Sequence, residues 1–140
     1  MSARFLLDAN AIREPLRPTP HPGFLVKFQM HGSSLAIAAP AWHECLFGLF
    51  RMAPGRKKEQ VDEFLHHVLL PTVDILPYEV DAARWHAEER ARLEREGRSS
   101  PFADGMIAAV AVRFGLTIVT HNLMDFEPFS NVSVVDWCAP

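Results

Sequence analysis

Cysteine is scarce in this sequence, with Cys45 and Cys138 as the two among 140 residues. They lie far apart, and Cys45 falls within an apolar helical pattern, so we expect reduced thiols in a cytoplasmic protein rather than a structural disulfide. Long hydrophobic runs are also absent, because none approaches the roughly 20 residues that a bilayer span needs. A run of only three apolar residues leads into Asp8, which is shorter than the apolar core of a signal peptide. We therefore expect neither a membrane segment nor a signal peptide.

An excess of positive charge is lacking too, since the formal net charge is −3 at pH 7. A protein that binds nucleic acid by charge alone is usually basic. Any action on nucleic acid therefore requires local clusters of arginine and lysine, or a bound metal. Internal repeats and low-complexity linkers are missing as well, while 49% of the residues are hydrophobic, which suits a real core. We expect one domain over residues 1–140.

Short apolar segments alternate with longer helical ones along the chain. The predicted strands, in order, are RFLLD, LAIAAP, TVDILP, LTIVT and VSVVDW. The predicted helices are HPGFLVKFQMHG, PAWHECLFGLF, GRKKEQVDEFLHHVLL, EVDAARWHAEERARLEREG and the segment after Ser100. In the fourth helix we expect ion pairs of Glu88 with Arg92 and of Glu94 with Arg98. The alternation predicts a three-layer α/β domain with a mainly parallel sheet flanked by helices.

Acidic residues follow the predicted strands, at the sheet edge where ligands of such folds bind. Asp8 ends the first strand, where the capping of a helix is an equally ordinary role for aspartate. Glu44 lies one turn into the helix that Pro40 opens, where an acid complements the helix dipole. Its apolar neighbours nevertheless predict a mostly buried helix, in which a carboxylate needs a partner.

Asp104 interrupts an apolar helical run. Residues 100–101, a serine and a proline, already supply the expected cap and first helical position, so Asp104 is not needed as a cap. At helical spacing Asp104 shares a stripe with Ile107 and Ala108, which should face the sheet. The small residues Gly105 and Ala108 should let this helix approach the sheet closely. A divalent cation would remove the cost of an unpaired carboxylate there.

Asp125, which follows the predicted strand over residues 116–120, is an ordinary loop acid when taken alone. A parallel sheet, however, would gather Asp8, Glu44, Asp104 and Asp125 at one edge. Sites made only of carboxylates suit Mg²⁺ or Mn²⁺ better than zinc, which prefers histidine and cysteine. Without metal the acids would repel one another and raise their pKa values. With metal they suit phosphoryl-transfer chemistry.

At these residues the sequence resembles the PIN-domain ribonucleases, in particular the VapC-type toxins of bacterial toxin–antitoxin pairs. FLLDAN is similar to the opening motif of the family, and APAWHECLFGL is similar to its second motif, with the acid at Glu44. PFADGMIAAVAVRFGLTIVTHNLMDF is similar to the third motif, with its acid at Asp104, and to the polar segment that follows. Each motif is short, but their common order and separations over almost the whole chain make the resemblance specific.

The resemblance implies a PIN-like fold and Mg²⁺-dependent RNA hydrolysis by activated water, and we expect Mn²⁺ to substitute. It also implies inhibition by a small cognate antitoxin that blocks the site. Asp8, Glu44 and Asp104 correspond to metal ligands and catalytic acids of the family. Asp125 corresponds to a fourth catalytic acid in some members, whereas others carry that acid where Asn122 stands.

Polar residues beside the acids are expected to support the metal ligands through hydrogen bonds. These residues are Asn10, Thr120 and Asn122. Two positions depart from the family pattern. Ala9 stands where the family usually has threonine, so one hydroxyl is missing near the acids. His121 stands where arginine is common, which removes a fixed positive charge.

A non-catalytic metal- or RNA-binding α/β module is the alternative to an enzyme. Receiver-type Mg²⁺ domains are disfavoured, because they pair adjacent acids early and carry a lysine after a late strand. Here LLDAN has one acid and IVTHN has no lysine. A phosphatase of the haloacid-dehalogenase type would carry a second aspartate where Asn10 stands.

Other features have two possible roles. His43 is expected to pack rather than to catalyse, because WHECL does not match the H-E-x-x-H zinc motif. Arg51 and the basic run 56–58 are either contacts to RNA phosphates or ordinary solvated charges. The apolar helices 24–30 and 42–50 are either core or a groove for an antitoxin helix. We also expect a homodimer.

Overall fold

A sheet of five parallel strands forms the centre of the computed structural model, which describes residues 3–140. The strands lie in the order β3-β2-β1-β4-β5, and every neighbouring pair is parallel. Their bounds are β1 (Phe5–Leu7), β2 (Leu35–Ala38), β3 (Asp74–Leu76), β4 (Thr117–Val119) and β5 (Ser133–Val135). Each strand falls within its predicted segment, and the predicted α/β architecture is confirmed.

Six α-helices flank the sheet within the described residues. They are α1 (Ala9–Arg13), α2 (Pro22–Met30), α3 (Ala39–Phe50), α4 (Arg56–Glu63), α5 (Val80–Arg95) and α6 (Phe102–Phe114). A π-helical segment, Phe64–Leu69, continues α4, and 3₁₀ turns occur at Glu14–Leu16, Gly32–Ser34 and Leu123–Asp125. None of the helices within residues 3–140 combines the length and the apolar character needed to cross a membrane.

The sheet is covered on both faces. Leu6 and Leu7 are neighbours on β1, so their side chains point to opposite faces, and both are fully buried. Ile118 and Val119 show the same pattern on β4. This explains why the strands are continuous apolar runs rather than alternating ones.

The register aligns the carboxyl ends of three neighbouring strands. Leu7 pairs with Ile37 on β2 and with Val119 on β4. The residue after Leu7 is Asp8, whose backbone N–H donates to the carbonyl of Val119 at 3.1 Å. Thr120 follows Val119 at the same edge, and α3 begins directly after β2.

Helix α6 starts later than the sequence indicates. The serine and proline at 100–101 were expected to be its cap and first residue, but Pro101 is extended, with ψ at 138°, and the helix begins at Phe102. No side chain caps this end. Asp104 therefore lies in the first turn, with Ile107 and Ala108 buried beyond it as predicted. Gly115 ends the helix with φ at +69°, a left-handed conformation that glycine adopts without strain.

The ion pairs of α5 differ from the predicted ones. Arg92 pairs with Glu89 at 2.9 Å and with Glu96 at 3.0 Å, rather than with Glu88. Glu89 is buried and also accepts the backbone N–H of Ser130 at 2.7 Å, which fixes Arg92 on its side of the helix. Arg98 pairs with Glu127 at 2.9 Å instead of with Glu94. These ion pairs and hydrogen bonds therefore connect α5 to the segment before β5, whereas the sequence predicted ion pairs on a solvent-exposed face of the helix.

Gly105 permits a close approach to α5 rather than to the sheet. A Cβ at this position would overlap the imidazole of His86, whose Nδ1 lies 3.0 Å from the Tyr78 hydroxyl. Ala108 and Ala109 are fully buried as small residues of the same helix. The absence of a side chain at 105 thus sets the distance between α5 and the first turn of α6.

We expect Gly105→Ala to destabilise the protein by about 1–3 kcal/mol, because the added methyl overpacks a buried contact. Gly48→Ala in α3 is the matched control, since a Cβ there meets nothing within 4 Å. Alanine is also the better helix former, so Gly48→Ala should be neutral or stabilising by up to about 1 kcal/mol. Urea unfolding curves of the two variants measure the difference. Equal stabilities would contradict the close packing of Gly105 on His86.

Candidate active site

Asp8 lies buried at the junction of β1 and α1. Its Oδ1 accepts the backbone N–H of Ala11 at 2.8 Å, so the capping role is real. Burial raises the pKa of the carboxyl, and the negative charge of Asp125 adds to that effect. Hydrogen bonds from Thr120 and Ala11 and the charge of His121 oppose the rise without cancelling it. Among the described residues, neutral donors therefore hold Asp8 in place, and His121 is the one cation whose charge lowers its pKa.

Asp104 is half-buried in the first turn of α6. Burial raises the pKa of its carboxyl to about 6, and the charges of Asp125 and Asp8 contribute to the rise. No positive charge among residues 3–140 contributes in the other direction. The sequence-based expectation of an unpaired carboxylate at this position therefore matches the geometry.

Asp125 lies in the 3₁₀ turn after β4 and is partly buried. Its charge raises the pKa of both Asp8 and Asp104, so the three carboxyls lie close enough to interact electrostatically. Asn122 is exposed, and its backbone N–H donates to the Thr120 hydroxyl at 3.0 Å. The charge of Asp125 acts on Asp8 and Asp104, and its role as the fourth acid stays a prediction.

Glu44 is less enclosed than its sequence context indicates. Its side chain is 46% exposed, and His43 Nδ1 lies 4.0 Å from its Oε1. The expectation of a buried carboxylate was wrong, because Glu44 lies on a surface-facing side of α3, next to the exposed His43 and three positions before the exposed Phe47. Burial raises the pKa of the neighbouring Cys45 thiol to about 11, and the charges of Glu44 and Asp8 add to that effect.

The supporting polar residues differ in position. Thr120 is fully buried and hydrogen-bonds to Asp8, as expected of a group that orients a carboxylate. Asn10 on α1 and Asn122 are both exposed. Their supporting roles stay predictions.

The donor set suits a hard divalent cation. The three facing carboxyls, from Asp8, Asp104 and Asp125, offer oxygen ligands alone, and their like charges raise the pKa values of Asp8 and Asp104. Within the described residues, no three of the four predicted acids have ligand atoms that all lie within 4.8 Å of one another. Mg²⁺ tolerates such spacing, because it binds through one or two carboxylates and keeps several waters.

Sequence reasoning missed Glu14. Its carboxylate is fully buried and lies 3.0 Å from Nε2 of His121 and 3.2 Å from Arg17. His121 in turn lies beside Cys138, with its Nδ1 3.6 Å from Sγ. Single polar residues in loops carry no periodic signal, so this cluster becomes visible only when the chain is folded.

Comparison with known proteins matches residues 5–128 to the PIN domain. The chain is 29% identical over 136 residues to the tRNA(fMet)-specific endonuclease VapC of Salmonella typhimurium, covering 96% of this chain and 98% of that protein. It is 32% identical over 129 residues to Toxin FitB of Neisseria gonorrhoeae, covering 86% of this chain and 89% of that protein. The crystal structure of FitAcB from Neisseria gonorrhoeae is similar with a TM-score of 0.86 and 30% identity, over 95% of this chain and 97% of that one.

We expect Asp104→Asn to raise the melting temperature of the metal-free protein at neutral pH. The pKa of Asp104 in the folded protein is about 6, above its ordinary value of 3.8. As the pH rises from about 4 to about 6, ionisation of Asp104 therefore lowers the stability of the folded protein. Below about pH 4 the carboxyl holds its proton in both the folded and the unfolded protein. Thermal melts in EDTA from about pH 4 to pH 7.5 should show that the melting temperature of Asp104→Asn exceeds that of the wild type by an amount that grows as the pH rises.

Asp74→Asn is the control for this comparison, because it removes one negative charge from an exposed position on β3. Its melting temperature should follow that of the wild type more closely at every pH. An equal rise in melting temperature for Asp74→Asn and Asp104→Asn would mean that overall charge, rather than the local environment of Asp104, limits stability.

Proposed function

The chain belongs to the PIN-domain family, and we propose that it is a metal-dependent endoribonuclease that acts as the toxin of a toxin–antitoxin pair. Asp8, Asp104 and Asp125 support this activity, because they interact electrostatically near the carboxyl edge of a parallel sheet and no cation among residues 3–140 offsets the charge of Asp104. The VapC relative from Salmonella typhimurium is named as an endonuclease. FitB from Neisseria gonorrhoeae is named as a toxin.

Asp8, Asp104 and Glu44 are the proposed ligands of Mg²⁺, for which Mn²⁺ would substitute. A bound cation would offset the burial and the like-charge repulsion that raise the pKa values of Asp8 and Asp104. When bound, it supplies activation of water and neutralisation of phosphate charge. That neutralisation explains how a protein with a net charge of −3 acts on RNA.

The protein's own groups have distinct tasks in this proposal. The Ala11 N–H and Thr120 hold the Asp8 carboxylate in a fixed orientation. Asp104 directly precedes the buried part of α6, which begins at Gly105, so its position follows from apolar packing rather than from a salt bridge. Asp125 faces both acids and is the proposed acceptor of the proton from the attacking water.

RNA is the proposed substrate class, and initiator tRNA is the first substrate to test. The reason is that the Salmonella relative, which is 29% identical, is named as specific for tRNA(fMet). The exposed Arg56 and Lys57 on α4 are candidate contacts to RNA phosphates. A comparison of initiator tRNA, elongator tRNA and ribosomal RNA as substrates would measure this specificity.

Loss of a carboxylate should abolish RNA cleavage while the fold persists. We expect Asp8→Asn and Asp104→Asn to lower cleavage roughly 10²–10³-fold or more, because each removes charge from the cation site and keeps the side-chain shape. Glu44→Gln should come close to these losses. Asp125→Asn should lose less, and Asn122→Ala should lose little, since Asn122 is exposed. Single-turnover cleavage of labelled RNA by purified variants measures each effect.

EDTA should stop cleavage by the wild type, and Mg²⁺ or Mn²⁺ should restore it where Ca²⁺ does not. His43→Ala is the control variant, because His43 is exposed on α3 and is expected to play no catalytic part. RNA binding without cleavage, with intact acids and added Mg²⁺, would favour a non-catalytic RNA-binding module. Cleavage that persists in EDTA would contradict the metal mechanism.

The cognate antitoxin is the proposed protein partner, and a cleft of about 350 Å³ is its proposed docking site. The cleft lies between the 3₁₀ turn Glu14–Leu16, α3 and α4, and its apolar lining includes Leu49, Val61 and Leu65. Three cations at its rim, Arg13, Arg17 and Lys57, complement an amphipathic helix with acidic flanks. The exposed Val26 and Met30 on α2 are the proposed contact of a homodimer.

Gly48→Arg should preserve toxicity but prevent neutralisation by the antitoxin. Gly48 lines the cleft, and a Cβ there meets no atom within 4 Å, so the new side chain fills the cleft without disturbing the fold. We expect wild type alone to arrest bacterial growth and co-expressed antitoxin to restore it. Gly48→Arg should arrest growth in both cases, whereas Gly48→Ala should still be rescued. Rescue of Gly48→Arg to the wild-type extent would exclude this cleft.

A further inference from the structure

Glu14, His121 and Cys138 bring a carboxylate, an imidazole and a thiol together outside the acidic site. Their ligand atoms all lie within 4.8 Å of one another, which holds for no other trio of potential metal ligands within residues 3–140. Nε2 of His121 lies 3.0 Å from Oε1 of Glu14 and 3.9 Å from Sγ of Cys138. The three residues come from three separate parts of the fold: the turn after α1, the loop after β4 and the segment after β5.

The site is built around a charged side chain that is completely enclosed. The Glu14 side chain has no exposed area, and its Oε2 accepts the backbone N–H of His21 at 2.9 Å. Burial opposes its ionisation, but this hydrogen bond and the charges of Arg17 and His121 lower the pKa of the carboxyl overall. The carboxylate is therefore ionised and oriented toward His121 before any ligand arrives.

His121 and Cys138 are also held in place. The His121 ring packs edge-on against the buried Phe24, with their centroids 5.7 Å apart. The backbone N–H of Cys138 donates to Oδ1 of Asp136 at 2.8 Å, and the buried Trp137 anchors the segment between them. The donor atoms thus occupy fixed positions rather than the ends of free surface chains.

The spacing suits tetrahedral zinc. Zn–S and Zn–N bonds of about 2.3 Å and 2.0 Å place neighbouring ligand atoms about 3.3–3.6 Å apart. The separations from Nε2 of His121, 3.0 Å to Glu14 and 3.9 Å to Cys138, lie on either side of that range. Cysteine, histidine and a carboxylate are also the ligands that zinc selects over Mg²⁺. Asp136, whose Oδ1 lies 3.6 Å from Nδ1 of His121, faces the other ring nitrogen and would orient the imidazole rather than bind the ion.

Electrostatics favour a cation at this position. The pKa of the Cys138 thiol is raised by burial and by the negative charges of Glu14 and Asp136. A divalent ion would reverse that effect, since it offsets the two carboxylates and stabilises the thiolate.

We propose that Glu14, His121 and Cys138 form a zinc-binding site that is distinct from the acidic site of Asp8, Asp104 and Asp125. Zinc there joins the turn before α2 to the segment after β5 and fixes His121 beside Thr120, which hydrogen-bonds to Asp8. Binding releases the thiol proton, together with any proton on Nε2 of His121, to solvent and involves no redox change. The site does not depend on the proposed ribonuclease activity.

Cobalt titration of the metal-free protein tests the site directly. Co²⁺ bound by the wild type should give a thiolate-to-cobalt charge-transfer band and visible bands of tetrahedral cobalt, saturating at one ion per chain. Cys138→Ser and His121→Arg should lose the charge-transfer band. Cys45→Ser should keep it, because burial holds the Cys45 thiol protonated with a pKa of about 11. Asp104→Asn should keep it too, which separates this site from the acidic one.

Thiol alkylation of the unmodified wild type provides a second measurement that needs no variant. Cys138 is partly exposed and Cys45 is buried, so mass spectrometry should locate the reactive thiol at Cys138. Zn²⁺ should slow its alkylation by on the order of 10-fold or more, and Mg²⁺ should leave the rate unchanged. A wild type without the charge-transfer band, a band that survives Cys138→Ser, or equal alkylation with and without Zn²⁺ would overturn the proposal and leave Glu14 and His121 as a simple ion pair.

Discussion

The parallel register of β1, β2 and β4 is the constraint on which the site depends. It ends three strands at the same edge, so the residue after each strand enters the same small region. Asp8 and Thr120 lie there because they follow Leu7 and Val119 directly. Asp125 joins them from the turn that follows β4. The carboxylates are therefore brought together by backbone hydrogen bonds and apolar burial, and their mutual repulsion is a consequence that the fold tolerates.

The position of α6, which carries Asp104, maintains the repulsion among the carboxylates. Apolar burial of Ile107 and Ala108 and the contact of Gly105 with His86 determine where the first turn of α6 lies. No charge among the described residues pulls Asp104 away from the other acids. A protein selected for stability alone could replace such a carboxylate. Its retention on a rigid, apolar scaffold is the arrangement expected of a preorganised cation site.

Apolar runs and strand-end acids allowed the sheet and the surroundings of Asp104 to be predicted, because both follow from local pattern and parallel topology. The exposure of Glu44 could not be predicted, since helical spacing shows which residues share a face but not how closely neighbours cover it. The contact of Gly105 with His86 could not be predicted either, because it depends on how α5 packs against α6. Glu14 was missed for a related reason: its partners lie in distant loops, where no periodicity links them.

His121 connects the two polar clusters, since its charge lowers the pKa of both Asp8 and Glu14. Arginine is common at this position in the PIN-domain family, and a guanidinium is a permanent cation that cannot bind metal. An imidazole gives up the permanent charge but offers a ligand nitrogen, and here a thiol from Cys138 lies next to it. A divalent ion held by Glu14, His121 and Cys138 would restore positive charge close to Asp8. The ion, held by His121 and Cys138, would then supply the positive charge that arginine supplies in the family pattern.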